Sequence, residues 1–147
     1  MSIQKHASYE QDFYAWAMES AELLRQGRLS EIDIEHLAEE IESMGRSIKR
    51  SLTRRLEILF AHLLKWEYQD AFRGSGWTFT IKEQRRAITD LLEENPSLQH
   101  KIEEVVTKAY ERAREAAADE TELKISTFPE ECPWTLEQAL DPEFWPK

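Results

Sequence analysis

Ten apolar side chains, Ile34, Leu37, Ile41, Met44, Ile48, Leu52, Leu56, Leu59, Leu63 and Trp66, follow one another in steps of three or four residues. That spacing lines one face of an α-helix. The phase passes through Gly45 without a break, so the pattern predicts one helix from about Glu31 to about Tyr68 rather than two short ones. At 1.5 Å per residue such a helix would span roughly 55 Å, more than the width of a compact domain of this length. The expectation is that it bends at Gly45, where a missing side chain costs about 1 kcal/mol, or that part of it packs on another subunit. Consecutive steps of four around Leu52 form a stutter. A stutter unwinds a left-handed supercoil locally, which favours an ordinary antiparallel bundle over a strict coiled coil.

Other helices read from their punctuation. Ser8 with Gln11 resembles a capping box opening a helix that closes at Gly27, with Tyr9, Phe13, Trp16, Ala17 and Leu24 as its core stripe. Ser30 is the expected cap of the long helix, with Glu31 and Asp33 in its first turn. After the Arg73-Gly74-Ser75-Gly76 turn, Ser75 is expected to cap a helix to about Glu94, buried through Ile81, Ile88, Leu91 and Leu92. Asn95-Pro96 breaks the chain. Ser97 is the next expected cap, before Leu98, Ile102, Val105, Val106, Ala109, Ala113 and Ala116. Beyond Thr121 the sequence turns irregular, with a short helix at Thr135–Leu140 opened by a Thr135/Gln138 capping box. The dense aromatics of this tail predict a strap across the bundle. The fold class expected is all-α: an antiparallel bundle of four to five helices in a single domain, 1–147, with the bundle in 8–120 and the strap in 121–147.

Composition narrows the partners. The chain has 147 residues, 41% of them hydrophobic and 33% charged, with a formal net charge of -10. Such a field opposes binding to nucleic acid and to anionic lipid. No apolar run approaches membrane-spanning length, and Met1–His6 lacks the apolar core of a secretory signal. The single cysteine, Cys132, cannot form an internal disulfide, and together these features lead to the expectation of a cytoplasmic protein.

Candidate chemistry is sparse. His36 and Glu40 stand four residues apart on one helix face, a geometry able to hold a divalent metal, with Glu39 and Glu42 nearby. His62 would lie about 33 Å along the same helix from Glu40, and no HExxH or Glu-x-x-His signature accompanies them. His62, at the edge of the apolar stripe, reads as a hydrogen-bonded structural histidine. The competing reading makes it a general base in a cleft lined by Trp66, Trp77, Arg85 and Arg86, although no nucleophile stands beside it in the sequence. Glu130 and Glu131 beside Cys132 disfavour a thiolate there. Gly74-Ser75-Gly76 lacks the surroundings of a phosphate loop and reads as a turn.

Charge segregation is the more informative signal. Glu31, Asp33, Glu35, Glu39, Glu40 and Glu42 are followed on the same helix by Arg46, Lys49, Arg50, Arg54 and Arg55. Solvated faces and pairing within the chain account for much of such a pattern. Its functional readings are antiparallel self-association that matches the unlike halves, or docking of a charged partner. The interaction residues expected are Glu39, Glu42, Arg46, Arg50, Arg54 and Arg55.

Several phrases are recognisable together: Leu37-Ala38-Glu39-Glu40-Ile41-Glu42 with Gly45-Arg46, Arg55-Leu56-Glu57-Ile58-Leu59, His62-Leu63-Leu64-Lys65-Trp66, Asn95-Pro96-Ser97-Leu98, Phe128-Pro129 with Cys132-Pro133-Trp134-Thr135, and Asp141-Pro142-Glu143-Phe144-Trp145-Pro146. From Tyr9 to Pro146 the chain resembles a bacterial family, domain of unknown function 29, of cyanobacteria and proteobacteria. The resemblance implies an all-helical fold and brings no catalytic residues with it. The function expected is therefore a non-enzymatic helical interaction module without a cofactor, forming a homo-oligomer or docking a protein partner. A small enzyme around His62, or a divalent-metal protein using His36 and Glu40, is the alternative.

Overall fold

Five α-helices order the chain in the computed structural model, which describes residues 6–147. They are α1 (Phe13–Arg25), α2 (Ile34–Tyr68), α3 (Ser75–Glu94), α4 (Ile102–Thr121) and the short α5 (Leu136–Leu140), with one or two turns of 3-10 helix in each connection. No strand occurs among the described residues. Met1–Lys5, part of the N-terminal stretch considered above for a secretory signal, lie outside the described residues.

The helix starts correct the sequence reading. Asp12, not Ser8, caps α1, its carboxylate accepting from Ala15 N at 3.0 Å, while the Ser8 carbonyl accepts from Asp12 N in the preceding turn. A charged acceptor also favours the positive end of the helix, so Asp12 holds the start there. Ser30 lies in the 3-10 turn Leu29–Glu31, and α2 opens instead at Asp33, whose carboxylate accepts from His36 N at 3.2 Å. Ser75 is the first residue of α3 behind Gly74, and Ser97 lies in the 3-10 segment Pro96–Lys101 that precedes α4. Where α1 ends, Gly27 takes φ +70, and Arg28 N and Gly27 N close on the Leu23 and Leu24 carbonyls. This is the paired-bond arrangement that a left-handed glycine permits. The Thr135/Gln138 capping box forms as the sequence suggests. Helix α2 runs through Gly45 without interruption.

Contacts gather the chain into two compact units, Met1–Ser47 and Ile48–Lys147. The first holds α1 and the opening turns of α2. Its buried apolar residues are Trp16, Leu23 and Ile32. Phe13 and Leu24, expected in the α1 core stripe, are 49% and 45% exposed. Tyr9 packs edge-on against Phe13 and Trp16 and stacks on the His36 ring at 4.1 Å.

The second unit carries the main core: Leu52, Leu56, Leu59, Phe60, Leu63 and Leu64 of α2, Ile81 and Ile88 of α3, and Val105, Ala109, Tyr110, Ala113 and Ala117 of α4. Long-range pairs fix the helix directions. Arg55 meets Gln84, and Lys65 lies over the Trp77 ring, so α2 and α3 are antiparallel. Lys49 pairs with Glu104 and Lys65 with Glu120, so α2 and α4 run the same way. The result is an up-down-up arrangement in which small Ala109, Ala113 and Ala117 let α4 approach closely.

The C-terminal segment is a strap laid on this unit. Phe128, Trp134 and Ala139 belong to the core, and Trp145 packs on Trp66 at 4.7 Å. Tyr110 donates to the Pro129 carbonyl at 2.6 Å, and Arg114 to that of Phe128 at 3.1 Å. Arg85, only 3% exposed, donates to the carbonyls of Ala139 (2.7 Å) and Phe144 (2.6 Å) with its guanidinium over the Trp145 ring.

Candidate functional site

The residues considered for chemistry separate when placed on these elements. His62 is half-buried on α2, and its Nδ1 bonds the Ile58 carbonyl one turn back at 2.8 Å. That bond puts the proton on Nδ1. Burial pushes the imidazole below its ordinary pKa, with Lys65 adding to the effect against the Ile58 bond and Glu120. Arg85 is committed to the strap carbonyls, and Arg86 is exposed and bidentate with Glu83. The antiparallel pairing sets Gln84 level with Arg55 and Trp77 level with Lys65, which places Arg85 about 10 Å along the bundle from His62. Trp66 packs on Trp145 and Trp77 on Lys65, so the structure does not gather these five residues around one reacting centre. Cys132 is half-buried against the Trp134 carbonyl, and burial pushes its thiol up.

His36 and Glu40 do share a face, and Tyr9 engages both. The His36 ring stacks on Tyr9, its Nδ1 bonds Asp33 at 2.5 Å, and Glu40 accepts from the Tyr9 hydroxyl. The Asp33 bond raises the pKa of His36, and the Glu40 bond raises that of Tyr9 to about 12. No group of three or more His, Cys, Asp or Glu side chains able to hold a metal occurs among the described residues. A cleft of about 510 Å³ beside them is lined by Tyr9, Trp16, Glu19, Glu31, His36 and His6, the last in contact with Glu19 and Glu31. This arrangement was not legible in advance, because its members lie on four separate stretches of sequence with no common spacing.

The charged candidates are distributed around α2. Glu39, Glu42, Arg46, Arg50 and Arg54 are exposed, and Arg55 is half-buried against Gln84. Arg46 pairs with Glu42 at 3.4 Å and Arg54 with Glu57 at 2.9 Å. At 100° per residue, Glu39 and Arg50 point away from the apolar row of the helix, while Glu42 and Arg46 lie on its flank.

That row departs most from expectation. Ile34 is 66% exposed, Ile41 57% and Met44 60%, although the sequence stripe places them with the core. Ile34, Ala38, Ile41 and Gly45 are spaced four, three and four residues apart, and the same helix face continues to Ile48, itself 36% exposed. A Cβ placed on Gly45 meets no atom within 4 Å. This face of α2 is an open apolar strip with acidic and basic side chains along one edge.

No helix among the described residues is long and apolar enough to cross a membrane. The chain matches the family described as domain of unknown function DUF29 over residues 8–145, and it belongs to that family. Neither a curated protein nor a solved structure matches it.

Proposed function

We propose that this protein is a non-enzymatic helical interaction module that self-associates through the open face of α2. The observation carrying this reading is that Ile34, Ile41, Met44 and Ile48 stand exposed in one helical row. Isolated exposed apolar residues are ordinary, but a contiguous strip with a charged edge has the character of a contact surface. The glycine in the strip adds to the case. Glycine in a helix interior costs about 1 kcal/mol relative to alanine, and nothing in the chain fills the place of its missing side chain. A backbone approaching from outside would use that space.

Sedimentation equilibrium on the full chain tests the reading. The expected outcome is a monomer–dimer equilibrium in the micromolar range, shifted to monomer by Ile41→Glu with the helical circular dichroism retained. A wild-type protein that stays monomeric at all concentrations would remove self-association and redirect attention to a charged partner on the same face.

A further inference from the structure

Resting on that reading, we infer that the occupant of the open face is the same face of a second copy, antiparallel, with the two-fold axis passing near Ser43. Size complementarity limits the choices. The row alternates large and small residues, Ile34, Ala38, Ile41, Gly45 and Ile48. In a parallel pair, equivalent positions meet, so glycine would face glycine and isoleucine would face isoleucine, leaving gaps between crowded layers. In an antiparallel pair, large meets small. Two registers achieve this. One sets Ile34 on Gly45 of the second copy and Ile41 on its Ala38. The other sets Ile41 on Gly45 of the second copy and Ile48 on its Ala38.

The charged edge selects between them. The first register opposes Glu35 to Glu42 of the second copy on both sides of the axis, and like charges so placed are repulsive. The second brings Glu35 opposite Lys49 of the second copy, twice by symmetry, an ammonium that also pairs with Glu104 of its own chain and would be shared between the two carboxylates. Near its axis Glu42 meets its symmetry mate, but Arg46, already 3.4 Å from Glu42 within the chain, stands within reach of both. Met44 meets Met44 on the opposite edge, an adaptable apolar contact. The second register therefore satisfies both size and charge. It also gives Gly45 a role, since the β-branched side chain of Ile41 from the second copy packs directly on the backbone there. Such an interface is isologous and closes at two copies.

Spin-label distances read the register. Half-buried Ser43 and exposed Arg50 are one heptad apart on the side of α2 away from the strip, so labels at Ser43→Cys and Arg50→Cys, each on a Cys132→Ser background, differ mainly along the helix axis. The second register predicts no axial component at Ser43 and about 21 Å at Arg50, seven residues at 1.5 Å on each copy, whereas the first register predicts about 10 Å and about 32 Å and would overturn it. Equal distances at both sites would mean a parallel pair and overturn the register. Gly45→Leu is expected to weaken dimerisation at least tenfold while leaving the monomer folded, because a Cβ at this exposed position meets no described atom within 4 Å. Unchanged dimerisation by Gly45→Leu would also overturn the register. A chain monomeric throughout would instead overturn self-association itself, a result distinct from a dimer with the wrong distances.

Discussion

Burial of the His62 ring, with Lys65 adding to its effect and the Ile58 carbonyl and Glu120 opposing it, determines how this residue makes stability depend on pH. Its pKa lies below the ordinary 6.5, so between the two values the unfolded chain binds more protons than the folded one. Stability then rises with pH through that window and is lost as pH falls. His36 has the opposite sign. Its pKa is raised by the Asp33 bond, so its contribution is fully present below 6.5 and is lost as pH rises through the folded value. The two effects fall on opposite sides of the ordinary value of 6.5, so single variants separate them. His62→Gln is expected to flatten the rise in melting temperature just below that pH, and His36→Asn to remove the fall just above it. An unaltered slope in His62→Gln would mean that its ring titrates as in the unfolded chain. The local partners were within reach of the sequence, since Lys65 follows His62 by three residues on one helix and Asp33 precedes His36 by three, but the burial that dominates at His62 and the Asp33 bond to His36 are set by the fold.

Helix α2 shows what periodicity conveys and what it omits. Its end at Tyr68 and its passage through Gly45 were legible from phase alone, whereas its start at Ile34 lies three residues past the expected Glu31. Phase does not report burial, however, and the same stripe is open at Ile34, Ile41 and Met44 but fully buried at Leu52, Leu56 and Leu59. The distinguishing signal is width. From Glu31 to Ser47 the apolar face is one or two side chains wide between polar neighbours. From Leu56 to Trp66 it widens to include Ile58, Phe60, Ala61 and Leu64, enough to meet neighbours on two sides. Caps failed where a nearer acidic residue or a 3-10 turn took over, as at Asp12 and Asp33. The end of α4 at Thr121 falls where the sequence turns irregular, but the conformation that closes it was not foreseen. Glu122 terminates the helix at φ 61, the left-handed region that disfavours a side chain. Glu122→Gly is accordingly expected to stabilise the fold by about 1 kcal/mol, measured as a rise in the denaturant midpoint at unchanged m. A fall in the midpoint would show that the extra backbone freedom of glycine in the unfolded chain outweighs the relieved strain.

At the scale of the whole molecule the two units differ in how much apolar surface they bury for themselves. Ile48–Lys147 has the continuous core of three helices and a strap. Among the described residues of Met1–Ser47 only Trp16, Leu23 and Ile32 are buried apolar side chains, while Phe13, Tyr14, Met18, Leu24, Leu29, Ile34, Ile41 and Met44 are exposed. A unit of that size normally needs a staple or a partner to hold its order, and this one has neither a disulfide nor a metal cluster among its described residues. If a second copy covers α2, its binding stabilises that unit by mass action. Amide hydrogen exchange separates this from an intrinsically stable hairpin. Protection in α1 and in residues 34–47 of α2 is expected to be lower than in the rest of the chain, to rise with protein concentration, and to lose that dependence in Ile41→Glu. Protection in α3 and α4 should be independent of concentration, because their core is complete within the chain. Concentration-independent protection throughout would show that residues 6–47 are stable unaided, and the exposed strip would then need a cause other than a second copy of this chain.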